Sequence, residues 1–193
     1  TVSGQSNYDR VQEINGRQMT YCHPIGTHPG MTQVLMECAS NVVAQHPFPY
    51  VPKPIETALF IAGHGTKKNK NSRKSIEAQV NIIRTRSEYA EVWPVFMEEI
   101  PFIADCYTIT EARHMVVVPF FVSDGQHTLE DIPVLLGEPE ATVKARLAAG
   151  QPTWNNPTER NGKLVWYASA VGSEAGLQEV VLERVREMTV DSR

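Results

Sequence analysis

Two of the six histidines stand where an imidazole could face a ligand. His64 sits between Gly63 and Gly65, and His127 follows Gly125 and Gln126. Between them in the chain, Glu98 and Glu99 follow an apolar run, and a basic cluster (Lys67, Lys68, Lys70, Arg73, Lys74) follows the first glycine–histidine turn. Two imidazoles with an oxygen ligand suit a borderline divalent metal such as cobalt, iron or nickel. Neutral imidazole takes such a metal from water and still releases it, which tight thiolate ligands would not. The histidines are 63 residues apart, so no local metal motif joins them. A histidine in a glycine turn also reads as a hydrogen-bonded turn residue. The flanking glycines let a large ligand approach the backbone. Any joint role has to come from the fold.

That fold is written as alternating strands and helices. Residues 57–62 form a short apolar run fitting a buried parallel strand. Ser72 can cap the next helix, where Ile76, Val80 and Ile83 line one face. Residues 91–96 read as a second strand, 101–110 as a weaker helix, and 115–122 as the most strand-like segment. Asp124-Gly125 turns the chain into a helix in two pieces around Pro133, and residues 140–149 form another helix. A polar loop spans 151–161, residues 164–169 are the last strand, and a terminal helix closes the unit. The order implies an α/β fold with a doubly wound parallel sheet. Ligands gather at the carboxyl ends of such strands. The first strand ends at His64, the second at Glu98 and Glu99, and the third at residues 123–127, so two histidines and an acid are expected at one edge.

The chain repeats itself at a constant step of 146 residues. Asn15, Gly16, Tyr21, Gly26, Gly30, Val34 and Glu37 have counterparts at Asn161, Gly162, Tyr167, Gly172, Gly176, Val180 and Glu183. Each copy reads as a strand, a glycine turn and an amphipathic helix, the helices covering about 31–44 and 175–188. In the second, Leu177, Val180, Val181 and Val185 share a face. The organisation expected is a C-terminal strand–helix remnant of a first half (1–45), a Pro-rich linker (46–56) and a complete α/β half (57–193). Residues 1–12 read as a polar lead-in.

Composition removes several classes. The net charge of −4 and pI of about 5.9 argue against a general nucleic-acid binder. No apolar stretch approaches the roughly 20 residues that cross a bilayer. Cys22, Cys38 and Cys106 form no CxxC pair. They read as reduced, mostly buried thiols of a cytoplasmic protein. Neither the G-x-x-x-x-G-K-[ST] nor the G-x-G-x-x-G pattern occurs, so a nucleotide-binding module is disfavoured.

Four motifs in order resemble the class II tetrapyrrole chelatases. Ile61-Ala62-Gly63-His64-Gly65-Thr66 is similar to their opening strand and GHG[ST] turn, and Val95-Phe96-Met97-Glu98 to their second-strand "F-x-E" signature. Val116-Val117-Val118-Pro119-Phe120-Phe121, Gly125-Gln126-His127 and Glu130-Asp131-Ile132-Pro133 resemble their third strand and "G-x-H…D-I-P" element, and the strand–helix at Gly172 their closing unit. The nearest group is the sirohydrochlorin cobaltochelatases of the CbiX type, with related ferrochelatases. The resemblance implies a lyase that inserts a divalent metal (Co2+, Fe2+ or Ni2+) into sirohydrochlorin, in cobalamin or siroheme biosynthesis. No external cofactor or ATP is implied; the metal is a substrate. By this resemblance His64 and His127 bind the metal and Glu98 is the acid, with Glu99 a neighbouring candidate. The alternative is a non-catalytic metal- or tetrapyrrole-binding protein of the same fold.

Sirohydrochlorin carries eight carboxylates, so cations should meet it. Lys67, Lys68, Ser72, Arg73, Gly125 and Gln126 are the substrate-binding candidates, though the basic run also reads as a solvated loop. Trp154, in the polar loop, is a lid candidate; Trp93 and Trp166 suit core packing. His23 and His28 flank the remnant's Gly26 turn as vestiges of a site edge, or as nothing functional. A lone half would leave a cleft wall bare, so a homodimer or packing against a first half is expected.

Overall fold

A computed structural model of the chain describes residues 11–66 and 70–190. Five strands form the main sheet: β3 (Thr57–Gly63), β4 (Glu91–Phe96), β5 (His114–Pro119), β6 (Thr158–Arg160) and β7 (Lys163–Tyr167). A separate hairpin joins β1 (Val11–Ile14) to β2 (Arg17–Thr20). The helices are α1 (Met31–Gln45), α2 (Lys70–Arg86), α3 (Cys106–Ile109), α4 (Ile132–Leu135), α5 (Glu140–Ala148) and α6 (Gly176–Val190).

The sheet order is β4-β3-β5-β7-β6. Neighbouring pairs are parallel except β6, which runs antiparallel to β7 at the edge. The sheet is therefore mostly parallel and wound both ways from β3. Alternation along the strands divides the core. Leu59, Ile61, Val116, Val118 and Trp166 face α1 and α2. Ala58, Phe60, Ala62, Met115 and Val117 face Ile103, Cys106, Ile132 and Trp154 on the other side. All these strand residues are buried, as expected for a parallel sheet covered on both faces.

Several details differ from the sequence reading. Residues 158–160 belong to an edge strand: Asn161 and Gly162 take positive φ (51° and 73°), making the Asn-Gly turn that joins β6 to β7. The first copy of the repeat holds the same turn at Asn15 and Gly16 (53° and 71°), so each copy is a hairpin and a helix rather than one strand and a helix. Lys70 and Asn71 are already helical in α2, so Ser72 lies inside the helix instead of capping it. The terminal helix does not close the half. The helix on the β5–β7 face is α1, which precedes the whole sheet, while α6 packs chiefly on α1 and on the turn at Ile25–Thr27. Hydrogen bonds secure this exchange. The Trp166 indole donates to the His46 carbonyl (2.9 Å), Thr32 donates to the Gln79 side chain (2.5 Å), and Gln79 donates to the carbonyls of Gly26 (3.2 Å) and His28 (3.0 Å).

Two of the three cysteines are buried and Cys22 is exposed. Burial pushes the Cys106 thiol up to about 12 and the Cys38 thiol higher still, with Glu174 adding to the shift at Cys38. The thiolate is the reactive form. Titration with a disulfide reagent at pH 8 should therefore find one fast thiol in the native chain and three after denaturation. Fast reaction of all three in the native state would contradict the packing of α1 and α3.

Candidate metal centre

The order of strands decides what meets. The chain reverses its winding direction between β3 and β5, the switch point where open α/β sheets hold ligands. His64 follows β3, and the loop to His127 leaves β5, so neighbouring strands deliver both histidines to one edge. The imidazole rings lie edge to face with centroids 4.9 Å apart. Both side chains are partly exposed, so the pair faces a place a ligand can reach.

Each ring is turned by its Nδ1. At His64 the Nδ1–H donates to the carbonyl of Gly65 (3.1 Å). A carbonyl can only accept, so in the neutral ring the free lone pair is on Nε2. At His127, Nδ1 lies 2.7 Å from Asp131 Oδ2, and a carboxylate fixes the proton in the same way. Both histidines thus offer Nε2 as the open donor. Asp131 belongs to the D-I-P element in the sequence, yet nothing there assigned it a role. His127 to Asp131 form a single π-helical turn, which places the two on one side of the turn. Such turns are rare and frequent at functional sites.

The acids separate. Glu98 Oε1 is 3.8 Å from His64 Nε2, beside the ring but too far for a hydrogen bond. Glu99 turns the other way, and its Oε2 lies 3.2 Å from the Arg73 guanidinium. The backbone ties β3 to β4 here, because the His64 carbonyl accepts from the N–H groups of Met97 and Glu98 (both 3.1 Å). Gly65 is obligatory: its φ is +65°, and a Cβ would lie 2.7 Å from Phe96 Cβ and 2.8 Å from Glu99 Cγ. The loop carrying His127 is pinned from the segment that follows β7. Asp124 accepts from the Ala170 N–H and the Ser173 hydroxyl (both 2.9 Å), and a Cβ on Gly172 would lie 1.6 Å from the Val122 carbonyl oxygen.

The remaining candidates fall as follows. Gly125 and Gln126 are exposed beside His127, and the Gly125 N–H donates to Thr128 Oγ1 (2.9 Å). Ser72 is exposed on α2. Arg73 is engaged internally by Glu77 (2.8 Å), the Ile100 carbonyl (2.9 Å), Glu99 and the Phe96 ring (5.0 Å). Lys67 and Lys68 lie outside the described residues. Trp154 is no lid: it is buried, with its indole N–H on the Val165 carbonyl (3.3 Å) and its ring against Tyr167. It lies in a loop of polar residues, which hid its burial. His28 is buried, with Nδ1 accepting from the Gly30 N–H (3.0 Å) and Nε2 3.4 and 3.5 Å from Glu183 and Glu187. With His23 it lines a cavity of about 760 Å³ formed with α6, which shares no lining residue with the histidine pair. Among the described residues no set of three or more His, Cys, Asp or Glu side chains closes around a metal. The His64–His127 pair is thus the candidate the sequence reading points to, with two imidazole nitrogens as possible donors.

A family model described as CbiX matches residues 58–188. The chain is 37% identical over 164 residues to the "probable sirohydrochlorin cobaltochelatase" of Halobacterium salinarum, a match covering 85% of this chain and 52% of that protein. It is 27% identical over 144 residues to the "sirohydrochlorin cobaltochelatase" of Methanopyrus kandleri, covering 67% of this chain and 95% of that one. The chain therefore spans only about half of the halobacterial relative. Among solved structures, SirB from Bacillus subtilis with Fe3+ superposes with a TM-score of 0.63 at 17% identity, over 90% of this chain and 59% of that one, a likeness of fold.

The Asp131 contact makes a direct prediction. In nitrogen–proton spectra of the neutral protein, His127 should show the Nδ1–H tautomer, and Asp131→Ala should shift it towards the Nε2–H form. A wild-type ring already in the Nε2–H form would overturn this reading of the 2.7 Å contact.

Proposed function

The chain belongs to the CbiX family, and from that membership we propose that it catalyses ATP-independent insertion of a divalent metal, Co2+ or Fe2+, into sirohydrochlorin. The observation that carries the proposal is the pair of imidazoles at the switch point, each with Nδ1 engaged and Nε2 free. The metal is substrate, not resident cofactor, and a site with few protein donors suits a cargo that must leave. The reading puts this reaction in the cytoplasm, supported by three cysteines that form no disulfide among the described residues.

His64 and His127 hold the metal against one face of the macrocycle. Asp131 acts through His127, fixing its ring and raising its basicity as a ligand; loss of such a partner commonly weakens metal binding about 10- to 100-fold. As the metal enters, two pyrrole N–H protons must leave, one for each positive charge gained. Glu98, beside His64 and exposed to solvent, accepts them and passes them to water. Glu99 is held by Arg73 and braces the turn instead. Gln126 and Ser72 offer exposed polar groups to the substrate's carboxylates, Gly125 leaves the approach to them open, and Lys67 and Lys68 add charge. Arg73, already paired with two glutamates, contributes chiefly by holding that wall.

Chelation is read from the absorbance change when sirohydrochlorin and Co2+ are mixed with the protein. His64→Ala and His127→Ala should each abolish the catalysed rate while leaving Tm unchanged. Glu98→Gln should slow it by about 10²–10⁴-fold with metal binding retained. Wild-type chelation by His64→Ala would remove the assignment. Cobalt binding by the wild-type protein without any chelation would select the carrier alternative.

A further inference from the structure

The turn that carries His127 lacks a backbone donor, and a distant side chain takes its place. In the π-helical turn His127–Asp131, the Ile132 N–H donates to the His127 carbonyl, five residues back. The next bond of that pattern would run from residue 133 to the Thr128 carbonyl. Residue 133 is proline and has no N–H to give. The donor an α-helical turn would use, the Ile132 N–H, is already engaged by His127. Thr128 is 2% exposed, so its carbonyl calls for a partner inside the protein.

Tyr167 is that partner. Its hydroxyl donates to the Thr128 carbonyl at 2.7 Å, in a buried bond across 39 positions of sequence. Burial, with Asp124 adding to the effect, holds this hydroxyl well above the ordinary tyrosine range, so it stays protonated. The tyrosine is seated from the segment before β6. The Asn156 side chain accepts from the Tyr167 N–H (2.7 Å) and donates to the Tyr167 carbonyl (2.9 Å). The Trp154 ring stands edge-on to the Tyr167 ring, with centroids 6.1 Å apart.

The far end of the turn is held as well. Ile132 and Leu136 are fully buried in the core layer that also contains Tyr167. A change in the winding of the turn therefore falls on its other end, where His127 stands. Loss of the tyrosine hydroxyl would leave the Thr128 carbonyl buried without a donor. The nearest remedy is to draw the Ile132 N–H away from His127. That tightens the turn to the α-helical form and moves the His127 ring relative to His64.

We propose that Tyr167 is a positioning residue for the candidate metal centre: its hydroxyl replaces the N–H that Pro133 lacks, keeps the turn wide and so sets His127 against His64. For metal binding this rests on the reading of His127 as a ligand; for the turn itself it does not. Trp154 and Asn156 serve the site through Tyr167.

The test uses Tyr167→Phe, which removes one oxygen and keeps the ring. Two quantities are measured: the Kd for Co2+ alone, and the His127 Nδ1–H signal in nitrogen–proton spectra of the metal-free protein. Tyr167→Phe should weaken Co2+ binding about 10-fold and shift the Nδ1–H signal. Val80→Ala is the control. It opens a cavity in the other core layer, so it should lower Tm and leave both measurements unchanged. Pro133→Ala provides the backbone N–H that the turn lacks, and in the Tyr167→Phe background it should return both measurements to near their wild-type values. Tyr167→Phe with the wild-type Kd and signal would overturn the proposal. So would an equal effect of Val80→Ala, or a double variant in which Pro133→Ala restores neither measurement. A wild-type protein that binds no Co2+ would remove the functional reading, while the Nδ1–H signal would still decide the role of Tyr167.

Discussion

The parallel pairing of β3 with β5 is the constraint from which the rest follows. Register sets Ala62 opposite Pro119, so the chain leaves both strands at the same height. A hydrogen bond from the Phe120 N–H to the Ala62 carbonyl (2.7 Å) extends the pairing to the loop's first residue. Side chains 63 positions apart can then meet with ring centroids 4.9 Å apart. Both strands are wholly buried, so slipping the register by one residue would turn Leu59, Ile61, Val116 and Val118 away from α1 and α2. The hydrophobic core thereby fixes the donor atoms.

Around that edge the polar contacts run from backbone to ring. Strand β4 holds the His64 carbonyl, the Gly65 carbonyl holds the His64 ring, and Asp131 holds His127. The segment after β7 holds the loop through Asp124, which accepts from Ala170 and Ser173. Orientation is thus set before any ligand arrives, and a preorganised pair of donors gives up little side-chain freedom on binding.

Much of this was legible in the sequence, and what was not has identifiable causes. Unbroken apolar runs marked β3 and β5, because a doubly covered parallel strand leaves no polar face to blur the signal. The repeat was visible because Asn-Gly is among the few dipeptides that favour two successive positive φ values. Which helix lies on which sheet was not visible: α1 and α6 carry the same apolar pattern, and amphipathicity gives a helix a face but not a partner. Asp131 escaped notice because an i, i+4 spacing is ordinary in any helix, and nothing in the spacing alone says that the pair turns a ring rather than decorates a surface. Trp154 was misread because neighbours of polar type say little about one large ring folded beneath them.

The indole of Trp166 reaches the carbonyl of His46 across 120 positions of sequence. Helix α1 is made early and the face it covers is made late. At about 5–20 residues per second of synthesis, that helix waits roughly 10 s for its seat. Met31, Leu35 and Val42 are meanwhile exposed to whatever else is nearby. A helix completed by a strand made about 120 residues later has to keep its apolar face from other partners in the interval.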